Sequence, residues 1–192
     1  MNDYEAIVIG VSAGGMQALA TMIPALPATF AYPIVVVQHV SEDSDGYLSI
    51  YLNNLSALRV EEAEDKKDIV SGVVYIAPAG YHLMIEENRT FSLSVDAPVH
   101  YARPSIDVLF ETAADVYRSR LIGVILTGAN ADGSQGLRRI KAYGGLTIVQ
   151  DPATAESSCM PQMAINTVSV DHILPLNGIA SFLAHLTEDA LL

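Results

Sequence analysis

Ile7-Val8-Ile9-Gly10-Val11-Ser12-Ala13-Gly14-Gly15 opens the chain with an apolar run, breaks it at a glycine-rich turn carrying one hydroxyl, and leads into a helical pattern. A backbone that must turn sharply and approach a ligand closely needs glycine there. The helix that follows directs free N–H groups and the positive end of its dipole back at Ser12. Two readings stand side by side. Ser12 is a nucleophile on a tight turn, or the turn cradles an anion.

Outward from this stretch, apolar runs and helical patterns keep alternating, the mark of an α/β fold with a largely parallel sheet. A helix from Gly14 to about Ile23 is ended by Pro24 and Pro27. Pro33–His39 is a second strand, β-branched enough to be buried on both faces. A helix from Tyr47 to about Ala57 and a weaker strand from Arg59 to Glu64 follow. In the middle, Val73–Ala77, His82–Ile85 and Thr90–Val95 are short runs separated by turn signals, and they predict hairpin-like excursions rather than another βαβ unit. Helical patterning returns from Ser105, a candidate N-cap, to Tyr117. Leu121–Thr127 is the clearest core strand, followed by a helix over Ser134–Tyr143 and a strand over Leu146–Gln150. A helix over Pro161–Thr167, a short strand over His172–Pro175 and a closing helix over Ile179–Leu186 complete the chain. The expected architecture is a doubly wound, mostly parallel sheet in three αβα layers, with a β-hairpin excursion in the middle. No repeat or linker divides residues 1–192, so one domain is expected.

Composition narrows the classes. A chain of 192 residues that is 51% hydrophobic and 17% charged is long enough to bury a real core. Its 22 acidic against 10 basic side chains give a formal charge of −12. Such a balance disfavours nucleic acid and anionic membrane surfaces, both of which need clustered Lys and Arg. No apolar run reaches the roughly 18 residues of a membrane span, and the acidic Met1–Glu5 start is no signal peptide, so a cytoplasmic location is expected. Cys159 is the single cysteine, which excludes an internal disulfide; beside Met160-Pro161 it reads as buried packing. His82, His100 and His172 lack metal-ligand spacing and His185 reads as solvated, so neither metal nor cofactor is called for.

Functional groups in open parallel sheets collect beyond the carboxyl ends of strands. Ser12, His39 and Asp132 occupy three such ends. A serine hydroxyl is a poor nucleophile until an imidazole takes its proton, and the imidazole needs a carboxylate to hold its tautomer. Taken singly, each residue has an ordinary reading: phosphate ligand or cap for Ser12, structural histidine for His39, turn or helix N-cap residue for Asp132. Asp151, also at a strand end, is the reserve carboxylate, and Arg103 would meet a substrate carboxylate or a buried acid.

These motifs together resemble the catalytic domain of the CheB-type protein-glutamate methylesterases. The resemblance is carried by Gly10–Gly15, Val35–His39, Arg103–Leu109, Leu126–Gly133, and Gln150-Asp151 with Met160-Pro161, in the family's order and over nearly the whole chain. It implies Ser12 as nucleophile, His39 as general base and acid, and Asp132 as the residue orienting the imidazole. Backbone N–H groups at Ala13 and Ala129 are the oxyanion-hole candidates. Family members hydrolyse γ-glutamyl methyl esters on the cytoplasmic helices of chemoreceptors, and many deamidate receptor glutamines. Such helices are therefore the expected partner, without membrane insertion or nucleic acid.

The chain departs from the family pattern at three places. Ala129-Asn130 stands where Met-Gly is usual, and the acidic Val40–Asp45 replaces a Met-Pro-rich segment beside the site. The receiver domain typical of the family is not expected in these residues, and a separate regulatory protein or control by expression alone would both be compatible with that.

Two rival enzymatic folds fit poorly. The α/β-hydrolases share Gly-x-Ser-x-Gly but need strands before it and the order Ser…Asp…His. A dinucleotide-binding domain wants an acid where Gln38-His39 ends the second strand. A binding or adaptor protein retaining the fold is the alternative from another class.

Overall fold

The computed structural model describes residues 4–190, with 187–190 described by backbone alone. Its axis is β1 (Ala6–Val11), every residue of which is buried. Alternate side chains of β1 enter two different cores. Ala6 and Val8 join one, and Ile7, Ile9 and Val11 the other. A strand buried on both faces has period-2 alternation but no polar face, which is why its sequence is a continuous apolar run.

β1 lies between β2 (Ile34–Gln38) and β7 (Leu121–Ile125), parallel to both, with Ile7 opposite Ile34 on one side and Ile122 on the other. β3 (Arg59–Glu62), β4 (Val73–Ile76), β8 (Leu146–Gln150) and β9 (His172–Leu174) complete a seven-stranded parallel sheet of order β3-β4-β2-β1-β7-β8-β9. Helices α1 (Gly15–Met22), α2 (Tyr47–Leu55) and α6 (Leu176–Ala190) cover one face, sending Leu19, Leu52 and Leu183 into its core. Helices α3 (Ile106–Tyr117), α4 (Ser134–Ala142) and α5 (Cys159–Thr167) cover the other through Phe110, Leu137 and Met160. The expected three-layer α/β architecture is what the chain adopts.

The middle of the chain differs from expectation in one respect. β5 (His82–Ile85) and β6 (Phe91–Ser94) form the antiparallel hairpin, whereas Val73–Ile76 is no excursion. It enters the main sheet between β2 and β3, with Val73 and Tyr75 in one core and Val74 and Ile76 in the other. The link from β3 to β4 carries no helix, so the βαβ signature that marks the other strands is missing there. Cys159 also differs. It is exposed on the first turn of α5, while Met160, Pro161 and Ala164 take the inward face.

From β1 the chain runs to β2 on one side of the sheet, and later to β7 on the other. The carboxyl ends of β1 and β7 therefore flank a crevice at the reversal of strand order, where open α/β sheets hold their ligands.

Candidate active site

The ladder of the central strands continues past their ends and sets the site. Ser12 N–H donates to Thr127 O at 2.9 Å, and His39 N–H donates to Val11 O at 3.1 Å. Ser12 thus leaves β1 level with the ends of its neighbours. Gly14 takes φ +78° to turn the chain into α1, a conformation glycine adopts without strain.

Gln38, the last residue of β2, fastens the two adjoining segments. Its Nε2 donates to Ser12 O at 3.0 Å and to His39 O at 2.9 Å. The result is direct contact between side chains distant in sequence. Ser12 Oγ lies 3.2 Å from His39 Nδ1, and His39 Nε2 lies 2.8 Å from Asp132 Oδ2. A carboxylate opposite Nε2 places the ring proton there, leaving the Nδ1 lone pair to accept from the Ser12 hydroxyl. The imidazole is 12% exposed and the carboxylate 0%, so the polar chain runs inward from a half-buried surface hydroxyl.

Asp132 is held by more than the histidine. Ser105 Oγ donates to Oδ1 at 2.9 Å, Ile106 N–H to Oδ2 at 2.7 Å, and Asp107 N–H to Oδ1 at 3.0 Å. Two of these donors are free N–H groups of the first turn of α3, where the helix dipole favours negative charge. Burial alone would raise the pKa of Asp132. The hydrogen bonds from His39, Asp107 and Ile106 outweigh it and hold the carboxyl below its ordinary range. Ser105 occupies the N-cap position but makes no capping bond to its own helix. Its N–H donates to His82 Nδ1 at 3.2 Å, and His82 Nε2 donates in turn to Ala97 O at 3.1 Å. His82 is therefore a buried structural histidine.

The side chain of Asp107, in the same first turn of α3, accepts from Gly136 N–H at 2.7 Å, with His100 Nε2 3.5 Å away. Burial, together with the charge of Asp132, pushes its carboxyl up to about 6 against the Gly136 hydrogen bond.

A cavity of about 450 Å³ opens over the imidazole, with His39, Glu42, Tyr101, Arg103 and Asn130 in its wall. A larger cleft of about 530 Å³, beside Glu87 and Thr112, contains neither nucleophile nor imidazole. Arg103 pairs with Glu42 at 2.7 Å and donates to the carbonyls of Val95 and Asp96. Its acid is an exposed loop residue rather than a buried one. Asp151 stays away from the centre and accepts from Ala153 N–H in the turn after β8.

Ala13 and Ala129 are exposed beside Ser12 and Asp132, and among the described residues neither N–H makes a hydrogen bond. Thr127 Oγ1 donates to Ala13 O at 2.8 Å, and the peptide that carries the Ala13 N–H is held through Ser12 O by Gln38 Nε2 and Gly15 N–H. The supporting roles of Gln38, Ser105, Thr127 and Asn130 were not read from sequence. The signals for them were the polar ending of an apolar strand at Gln38, the cap position of Ser105 and the unusual Asn130. No group of three or more metal-ligating side chains occurs among the described residues, and none of their helices is long and apolar enough to cross a membrane.

Comparison with known proteins places the chain in a family. The family model for CheB methylesterase matches residues 7–183. A Leptospira interrogans protein provisionally named protein-glutamate methylesterase/protein-glutamine glutaminase is 54% identical over 189 residues, 98% of each chain. A protein-glutamate methylesterase/protein-glutamine glutaminase of Carboxydothermus hydrogenoformans is 40% identical over 95% of this chain and 55% of its own length. The crystal structure of the Thermotoga maritima CheB methylesterase catalytic domain superposes with a TM-score of 0.92 at 38% identity, covering 95% of this chain and 98% of that one. With the family model matching residues 7–183 and relatives and a solved catalytic domain at 38–54% identity over nearly all of it, the chain belongs to the CheB methylesterase family.

Proposed function

We propose that this protein is a serine esterase that hydrolyses γ-methyl esters of glutamate residues on the cytoplasmic helices of chemoreceptors, releasing methanol. The observation that carries the reading is the continuous contact from Ser12 Oγ through His39 to the buried Asp132. Ser12 attacks the ester carbonyl while His39 Nδ1 takes its proton, general-base help of roughly 10²–10⁴-fold. Asp132 stabilises the imidazolium that forms, since its carboxyl is held ionised by its hydrogen bonds. The N–H groups of Ala13 and Ala129 are the backbone donors for the oxyanion, each worth about 3 kcal/mol in the transition state. Protonated Nδ1 then gives its proton to the departing methoxide. Water activated by the same nitrogen opens the acyl-enzyme.

Glutamine deamidation, the second activity in the relatives' names, uses the same steps with ammonia as the leaving group. Both activities are tested by incubating the protein with receptor helices carrying methyl-esterified glutamates or glutamines and measuring methanol and ammonia. Release from the wild type that disappears in Ser12→Ala is the expected result. Release that survives the substitution overturns the serine mechanism, and binding without release favours an adaptor.

A further inference from the structure

Asn130 precedes Asp132 by two residues, and its side chain is engaged at both ends. Asp132 N–H donates to Asn130 Oδ1 at 3.2 Å. Only the amide oxygen can accept from an N–H, so this bond turns Nδ2 toward the imidazole. Nδ2 lies 3.4 Å from His39 Nδ1, the nitrogen that faces Ser12 Oγ at 3.2 Å. Because Nε2 carries the proton directed at Asp132, Nδ1 has one in-plane lone pair. Two donors share that single acceptor.

The sharing cannot last through the reaction. As Ser12 Oγ bonds to the ester carbon, the carbonyl π pair moves onto the carbonyl oxygen and the hydroxyl proton passes to Nδ1. Nδ1–H is no longer an acceptor, so the Asn130 N–H is released. The same step creates an anionic oxygen on the carbon bonded to Ser12. Asn130 is half-buried and lines the cavity beside His39; because its Nδ2 and Ser12 Oγ both reach the same Nδ1, rotation of the amide would carry it from the imidazole to the oxygen formed beside Ser12. We propose that Asn130 is a catalytic residue whose side-chain amide donates to the oxyanion, adding a third donor to the backbone N–H groups of Ala13 and Ala129. When the intermediate collapses, the carbonyl re-forms, the proton on Nδ1 leaves with the alkoxide, and Asn130 returns to the imidazole. The inference rests on the esterase reading of the site.

The competing role is that of a turn residue, in which only Oδ1 matters. Asn130→Ser separates the two, because a serine oxygen still accepts from the N–H two residues on but carries no amide. Hydrolysis of p-nitrophenyl acetate avoids receptor recognition, and the rate of covalent capture by a fluorophosphonate reports on a tetrahedral adduct with the same oxyanion. The expected result is an unchanged melting temperature and KM, with kcat and the capture rate each lower by roughly 10²-fold. A kcat within about threefold of wild type overturns the proposal, as does a loss of activity that merely follows a loss of melting temperature. A wild-type protein inert to both probes overturns the esterase reading, and this inference with it.

Discussion

Ser105 stands at the start of α3 yet gives its hydroxyl to Asp132 Oδ1 at 2.9 Å, and the Asp132 carboxylate serves the helix in its place. The carboxylate that orients His39 is thus also the cap of α3, supplied from the loop after β7. One side chain has a chemical and a structural duty, and the two can be measured apart.

Asp132→Asn keeps the size of the side chain but turns one acceptor into a donor. An N–H of the α3 first turn then faces an NH2 group in either orientation: that of Ile106, together with His39 Nε2–H, or that of Asp107. We expect kcat to fall by roughly 10³–10⁴-fold and unfolding free energy by about 1–3 kcal/mol for the donor left unpaired. Ser12→Ala should match the first loss and show none of the second. Denaturant unfolding of the two variants checks this, and an Asp132→Asn protein as stable as wild type refutes the capping role.

Asp132 and Asp107 link stability to pH with opposite signs. Asp132, with its folded pKa depressed, stabilises the protein above the ordinary carboxylate range, and that contribution is lost as pH falls through the lower folded value. Asp107, raised from 3.8 to about 6, binds its proton more tightly when folded. Its effect is that stability declines as pH rises from about 4 to about 6, on the order of 3 kcal/mol in all. Asp107→Asn removes this decline. The stability difference between Asp107→Asn and wild type, measured near pH 4 and near pH 7.5, should grow by that amount in favour of the variant. A difference that does not change with pH refutes the assignment.

Gln38→Met preserves the buried volume at the end of β2 while deleting the donor shared by Ser12 O and His39 O. Ser12 O keeps its bond from Gly15 N–H, so the loss is that of two hydrogen bonds at half-buried residues, about 1–2 kcal/mol of stability. Releasing the two segments should lower kcat by roughly tenfold or more, because small misplacements of reacting groups are costly. Unfolding measurements alongside kcat and KM on p-nitrophenyl acetate check both, and an unaltered kcat excludes a positioning role for Gln38.

Much of this architecture was legible because doubly buried parallel strands betray themselves locally. Ile7–Ile9, Ile34–Val37 and Leu121–Ile125 are apolar runs with turn or helix signals after them. Val73–Ile76 has the same composition, but its neighbours β2 and β3 are chosen by nonlocal packing and no helix announces the crossover. Cys159 misled because adjacency to Met160 says nothing about which side of a helix a residue faces. Ser12, His39 and Asp132 could be picked as strand-end side chains with complementary chemistry, although their meeting depended on strand order. That Ser105 and the first turn of α3 donate to Asp132 left no trace in the sequence, since those bonds exist only where α3 docks. Asn130 was visible as a departure from the family pattern, and its double engagement needed the fold.

The borrowed cap of α3 sets unequal terms for the evolutionary loss of activity. A descendant that abandons esterase chemistry but keeps its shape can discard the Ser12 hydroxyl freely, since that atom supports no other element. It cannot discard the Asp132 carboxylate without fraying the helix that closes one face of the sheet. Inactive members of such a lineage should therefore retain the acid long after the nucleophile has drifted, and the presence of the acid alone is a poor sign of catalysis.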